Sequence, residues 1–269
     1  MPAGLSIHVG LNNVDPAKYG GWDGQLMACE NDARDMAALA RAAGFEDTVL
    51  LTADGTVDNI TAELRKAAER LQDGDILLFT YSGHGGQMPD TEGDEPDELD
   101  ETLVFFDRQF LDDELHREFL RFSPGVRIFT LLDCCHSGTA TEVAQPGAAA
   151  DEPAPRVMPE VRQQQNFEQN MAFYQELQRE LRKNGSNGVE PGTVLISACQ
   201  DRQVALDGRV NGKFTETLLR VWNGGAFSGG GYQAFHQAIK QLMPRSQVPN
   251  FFTTGSPTPQ FLDQKPFTV

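Results

Sequence analysis

Cysteine is scarce in this chain. The 269 residues hold four, Cys29, Cys134, Cys135 and Cys199, and their spacing matches no disulfide framework, which suits a reducing cytosol. Also missing is any apolar run of membrane-spanning length, and the N-terminus has no charged region leading into an apolar core. The expectation is a soluble, cytoplasmic protein. Basic residues are few as well: 22 Lys and Arg against 39 Asp and Glu leave a net charge of -17. That sign argues against a general nucleic-acid or anionic-membrane binder and makes basic substrates or divalent cations the natural partners.

What is present centres on two apolar runs that end in polar turns. Asp75 to Tyr81 leads into Ser82-Gly83-His84-Gly85-Gly86, and Val126 to Leu132 leads into Asp133-Cys134-Cys135-His136-Ser137-Gly138. Both runs read as buried strands. If they neighbour each other in a parallel sheet, their C-terminal ends set a thiol beside an imidazole, where open α/β sheets carry their sites. Such a pair is a cysteine nucleophile with its base. A lone buried Cys or His is more often structural, and here both stand in short Gly-containing turns. Zinc is a rival reading, but adjacent cysteines are poor substitutes for the C-x-x-C spacing that lets two thiolates reach one ion. Adjacent cysteines also close a disulfide badly.

The remaining segments follow a βαβ rhythm, as expected of a mostly parallel sheet with helices on both faces. Leu5 to Leu11 reads as a first strand, with His8 packed in or beside it. A helix is expected from Asp32, where Ala33, Met36, Ala37 and Ala40 recur at helical spacing; taken alone, Asp32 reads as its cap. Thr48 to Leu51 reads as a second strand and Thr56 to Leu71 as a second helix. Asp90 to Glu101 then places eight acids in twelve residues without a base, a solvated loop or a cation site. Leu103 to Phe106 reads as a strand, and a helix from Leu111 has Asp112 as its expected cap. Thr139 to about Pro159 has almost nothing to bury and reads as a linker. A helix is expected over Val161 to Lys183, a strand over Gly192 to Ser197 that leaves Cys199 as a core thiol, and helices around Phe214 to Trp222 and Tyr232 to Leu242. Phe251 to Thr254 reads as a last strand, followed by a coil tail.

Tyr81-Ser82-Gly83-His84-Gly85 and Asp133-Cys134-Cys135-His136-Ser137-Gly138 resemble the two active-site motifs of the metacaspases, above all the prokaryotic ones, within the caspase-like clan of cysteine peptidases. The resemblance implies a caspase-like three-layer α/β sandwich formed by one domain over 1–269: a large-subunit-like part over 1–138, a flexible linker over 139–162, and a helix plus small-subunit-like part over 163–269. By position it makes Cys135 the nucleophile, with Cys134 in the place of the family's usual Ser. His84 becomes the base, and the oxyanion hole draws on the N–H groups of Cys135 and of Gly85 or Gly83. It implies a pocket for a P1 Arg or Lys lined by Asp32, Asp133, Ser82 and Cys29, since paired carboxylates suit a guanidinium. No Arg stands near the active-site turns in sequence, which argues against specificity for Asp. The resemblance also implies a calcium site from Asp112 and Asp113 with Asp100, or alternatively Asp97, and Glu142. Arg156 and Arg162 flank the emptiest part of the linker, and an exposed basic residue in a flexible segment is where a basic-specific peptidase would cut its own chain; a solubilising linker without processing is the alternative. Expected partners are protein or peptide substrates with basic P1 residues, with no nucleic acid and no membrane. A monomer is expected, with an upstream activating protease left open, and the chemistry itself requires no cofactor. Two other readings stay open: an inactive caspase-like scaffold for protein interaction, and a hydrolase of non-peptide esters or amides.

Overall fold

In the computed structural model, residues 2–91, 98–135, 153–183, 189–200 and 203–269 are described. Six strands form the central sheet: β1 (Gly4–Gly10), β2 (Glu46–Leu51), β3 (Ile76–Ser82), β7 (Arg127–Asp133), β8 (Gly192–Ser197) and β9 (Asn250–Thr254), in the order β2-β1-β3-β7-β8-β9. All neighbours are parallel except β9, which runs antiparallel to β8. In β3 and β7 apolar side chains alternate between the faces. Ile76, Leu78, Phe129 and Leu131 join one core with α1 (Cys29–Ala42), α6 (Lys213–Trp222), α7 (Tyr232–Leu242) and α8 (Pro259–Asp263). Leu77, Phe79, Tyr81 and Ile128 join a second core with α2 (Val57–Arg70) and α3 (Asp112–Phe119). A sheet apolar on both faces must be covered on both, which gives the expected three-layer sandwich.

The β3–β7 register sets the site. Ser82 pairs with Asp133, so both strands end level and each continues into a turn at the same edge. Gly85 is where these turns come closest. A Cβ there would collide with the Cys135 carbonyl, so the chain beyond His84 can pass Cys135 only with glycine at this position.

Several expectations are corrected. The Gly-rich turn continues into a strand, β4 (Gly85–Pro89), which forms a separate antiparallel sheet with β5 (Leu99–Val104) and β6 (Gln109–Leu111). Alternation was masked here by glycines and acids. Asp112 does not cap α3. Leu111 holds that position, and Glu114 reaches back to accept from the Leu111 N–H at 3.2 Å. Nor does Asp32 cap α1, which begins three residues earlier at Cys29. The single helix expected from Val161 divides at Asn170 into α4 (Glu160–Gln169) and α5 (Met171–Lys183), because the Asn170 amide turns back onto the Asn166 carbonyl at 2.9 Å. The tail is not coil throughout: α8 and Phe267 pack Phe261 and the Phe267 ring into the first core.

The linker differs most from expectation. Arg156, Val157 and Met158 are buried, with Arg156 wholly inaccessible. Two apolar residues, Val157 and Met158, are too few to set a period, and the third buried residue is a cation.

Candidate active site

Arg156 lies in the pocket expected for a substrate's P1 residue. Its Nη2 is 2.7 Å from Asp32 Oδ2 and 2.9 Å from Asp207 Oδ1, and its Nη1 is 2.9 Å from Asp133 Oδ2 and donates to Ser82 Oγ at 2.8 Å. Each acid comes from a different element. Asp32 projects from the first turn of α1, Asp133 ends β7, and Asp207 lies in the loop after β8. Burial would lower the guanidinium's pKa, but Asp133, Asp32 and Asp207 more than offset it and hold it well above its ordinary value. Burial raises the Asp32 carboxyl to about 6 even though Arg156 pulls it down. Cys29 is buried beside the guanidinium, and burial pushes its thiol up to about 12.

The pocket acids are themselves held in place. Asp32 accepts from Ser82 Oγ at 2.7 Å and from the Gly212 N–H at 3.0 Å, and Asp133 Oδ2 accepts from Thr215 Oγ1 at 2.8 Å. Asp207 Oδ2 accepts from the Met27 N–H at 2.6 Å, just before α1. The missing side chain of Gly212 leaves room for the ligand, since a Cβ there would overlap the Arg156 guanidinium. Asp207 was not anticipated. A single Asp in a polar turn carries no periodic or motif signal, and only the loop's return to α1 gives it a role. The sequence-level absence of Arg near the active-site turns is corrected too, since the fold brings Arg156 to them.

The backbone around Arg156 is held like that of a peptide about to be cut. Its carbonyl accepts from the N–H of Gly85 and of Cys135, both at 3.1 Å. Two donors converging on one carbonyl are the geometry of an oxyanion hole. Gly83 is not at this oxygen; its N–H points to the Asp133 carbonyl at 3.5 Å. On one side of the bond the Arg156 N–H donates to Ala205 O at 2.9 Å and the Asp207 N–H to Ala154 O at 2.8 Å. On the other, the Met158 N–H donates to Gly85 O at 2.8 Å. The segment is thus an extended strand pinned on both sides of the Arg156–Val157 bond.

His84 is buried, with Nε2 3.0 Å from the Gly24 carbonyl and the Trp22 ring 5.0 Å away. Burial lowers its pKa to about 4, with the Gly24 contact acting the other way. The Gly24 carbonyl fixes the ring where no third side chain was found in the sequence, and Nδ1 is buried without a hydrogen-bond partner. Cys135 Sγ lies 2.9 Å from Cys199 Sγ and accepts from the Ala205 N–H. All four cysteines are free, and Cys199, only half-buried, lies beside Cys135 rather than only in the core. Cys134 faces the second core.

The residues expected to hold calcium are only partly gathered. Asp112 and Asp113 open α3, and Asp100 on β5 is buried and accepts from the Gln178 amide. Asp112 is open to solvent, yet the protein around it and the Asp113, Glu101 and Asp100 carboxylates raise its pKa well above the usual range. Glu142 and Asp97 lie outside the described residues. Among the described residues no three His, Cys, Asp or Glu side chains form a metal-holding group. Arg162 is on α4, away from the pocket, donating to Gln165 and Gly20. No helix among the described residues is long and apolar enough to cross a membrane.

The sequence matches the caspase domain over residues 13–262. It is 32% identical over 248 residues to metacaspase-1 of Mycosarcoma maydis, covering 78% of this chain and 59% of that protein. It is 42% identical over 153 residues to metacaspase-1A of Aspergillus fumigatus, covering 51% of this chain and 36% of that one. The chain therefore spans only part of these relatives' length. Among solved structures, protein GSU0716 of Geobacter sulfurreducens superposes with a TM-score of 0.90 at 46% identity, over 100% of this chain and 99% of that one. Caspase-1 of Spodoptera frugiperda has a TM-score of 0.56 at 12% identity, over 93% of this chain and 86% of that one, and so shares the fold.

Proposed function

The chain belongs to the caspase-domain family, and on that premise we propose that it is a cysteine endopeptidase of the prokaryotic metacaspase type. It cuts protein or peptide substrates after Arg or Lys, and its own Arg156–Val157 bond is the first of them. The observation that carries this reading is Arg156 itself, which has its guanidinium among three acids and its carbonyl between two N–H donors.

In this mechanism His84 takes the Cys135 proton and the thiolate attacks the Arg156 carbonyl carbon. The negative charge moves onto the oxygen held by Gly85 and Cys135 N–H, which bind it more tightly as it forms. Collapse breaks the bond to Val157 N, and His84 returns the proton to that leaving amine. Water, deprotonated by His84, then hydrolyses the thioester. Cys135 Sγ is turned toward Cys199 in the intact chain, so attack begins with a rotation about its Cα–Cβ bond. The uncut chain is thereby a zymogen: its own P1 residue fills the pocket that substrates need.

Calcium belongs to the same proposal as an ion outside the chemistry. Asp112 and Asp113 carry charge that a cation would relieve, and no catalytic step passes through it. Monomeric, cytoplasmic action likewise belongs to the proposal.

Intact-mass analysis over time tests the central reading. The parent chain should divide after Arg156 and then hydrolyse an Arg-coumarin amide, whereas Cys135→Ala stays whole and inactive. A parent chain that neither divides nor turns over the amide would point instead to a non-catalytic scaffold.

A further inference from the structure

The bond after Arg156 is held from its far side as firmly as from its near side. Met158, the second residue beyond it, is fully buried in a cluster formed by Val14, Tyr19 and Val104, with Trp22 packed against them. Its main chain is anchored as well, with the N–H donating to Gly85 O, so the glycine that binds the scissile carbonyl also fixes the register of the departing strand. The walls of this cluster are also hydrogen-bonded to residues other than Met158. Tyr19 Oη donates to Phe105 O at 2.6 Å, Val14 N–H to Asp23 O at 2.9 Å, and Asp15 N–H to Phe106 O at 2.8 Å. Trp22 also lies against the His84 ring, so one side chain borders both this cluster and the base.

A walled apolar cavity whose occupant comes from the segment to be cut is built as a subsite. We propose that Val14, Tyr19, Trp22 and Val104 form a primed-side subsite that takes an apolar side chain at the second position after the cleaved bond. Met158 is its first occupant and protein substrates with Met or Leu there are its later ones. The inference rests on the peptidase reading above. A mid-sized apolar side chain suits the cavity because Met158 fills it without exposure, and a carboxylate there would be buried without a charged partner among Val14, Tyr19, Trp22 and Val104. Correct filling also seats Trp22 against His84, so this position should be felt in kcat as well as in KM.

Internally quenched peptides carrying Ala-Pro-Arg-Val-Met-Pro, and the same sequence with Leu, Asp or Gly in place of Met, test this directly on the processed enzyme. An Arg-coumarin amide, which has no residue beyond the cut, is the reference. The expected result is a kcat/KM at least tenfold higher for Met and Leu than for Asp and Gly. Within the chain, Met158→Asp should slow cleavage after Arg156 by at least tenfold while Met158→Leu keeps it within about twofold. Equal rates across the four peptides overturn the subsite. So does cleavage of the coumarin amide with none of the peptides cut, because the chain's own Met158 would then keep the cavity closed to substrates. Failure to cleave the coumarin amide at all is a different result and overturns the peptidase reading beneath it.

Discussion

Two acidic clusters lie on this molecule, and their difference is instructive. Around Arg156, three carboxylates from α1, β7 and the loop after β8 converge on one guanidinium in a fully buried pocket. At the start of α3, Asp112 is exposed, and burial by the surrounding protein together with the Asp113, Glu101 and Asp100 carboxylates raises its pKa. Like charges of similar density thus have opposite settings. The first is fixed by Thr215, Ser82, Gly212 and Met27, whose donors aim the acids at a single point. In the second, Asp100 is buried against the Gln178 amide while Asp112 faces solvent. Acid content therefore says little by itself; the directed hydrogen bonds around each carboxylate separate the pocket around Arg156 from the cluster at α3.

The sharpest way to break the comparison is to remove an acid from the pocket. Asp133→Ala should reduce kcat/KM on Arg substrates by about 100-fold or more, because a buried partner to charge is lost at about 3–5 kcal/mol. Asp207→Asn should act selectively. Arg156 Nη2 spans Asp32 and Asp207 while Nη1 reaches Asp133, a spread across three acids for which the planar guanidinium fork is better suited than lysine's single compact ammonium. Steady-state kinetics on matched peptides should show about tenfold loss for Arg and a smaller loss for Lys. Equal losses would mean that Asp207 only anchors the start of α1.

Removing the cation instead of an acid tests the same cluster through stability. In Cys135→Ala chains, which stay uncut, Arg156→Ala should cost about 3–5 kcal/mol near pH 8. The sign follows from Asp32. Its folded pKa, about 6, lies above the ordinary ~3.9, so its contribution is full below about pH 4 and lost as pH rises through 6. Arg156 lowers the Asp32 pKa, so its removal raises that pKa further; below about 6 Asp32 is neutral with or without the guanidinium, and the cost of Arg156→Ala should shrink on acidification toward pH 5, as read from urea midpoints. A pH-independent cost would show that Arg156 acts through packing alone.

His84 reports whether the pocket is filled. With the segment in place its pKa is about 4, below the ordinary ~6.5, so its stabilising contribution is full above pH 6.5 and is lost as pH falls toward 4. Cleavage and departure of the segment admit water, and His84 should then titrate closer to 6.5. NMR of labelled histidine in uncut Cys135→Ala and in processed protein should show the higher value only in the latter.

The smallest effect belongs to the cluster at α3. Asp112 is raised by its surroundings and by like charges, so its ionisation works against the folded state at neutral pH. Asp112→Asn should stabilise the protein there by no more than ~0.5 kcal/mol, as usual at exposed positions, with no gain in acid. If calcium binds at this site, calorimetry should show a heat with the parent chain that Asp112→Asn weakens; a parent chain giving no heat would remove the proposed ion.

Much of this protein is legible in its sequence. The apolar runs ending at Tyr81 and Leu132, with their alternating faces, announce buried parallel strands, and the turns after them carry His84 and Cys135 because small residues follow directly. The start of the second helix is legible at Thr56, which caps it, whereas α1 starts earlier than its acid suggests and glycines and acids hide the sheet containing β4. Other features depended on distance in space. Ser82 opposite Asp133 is a matter of register, which no single strand encodes. Asp207 reaches the pocket because the loop after β8 returns to the start of α1, and Gly24 orients His84 from a loop some 60 residues away. Arg156 follows a stretch of Ala, Pro, Gly and acid with almost nothing to bury and no period, so local pattern reads it as exposed linker. Only the closed fold gathers three acids and two N–H groups at one place, and that convergence, which is electrostatic and long-range, makes a buried ligand of a residue whose neighbours promise coil.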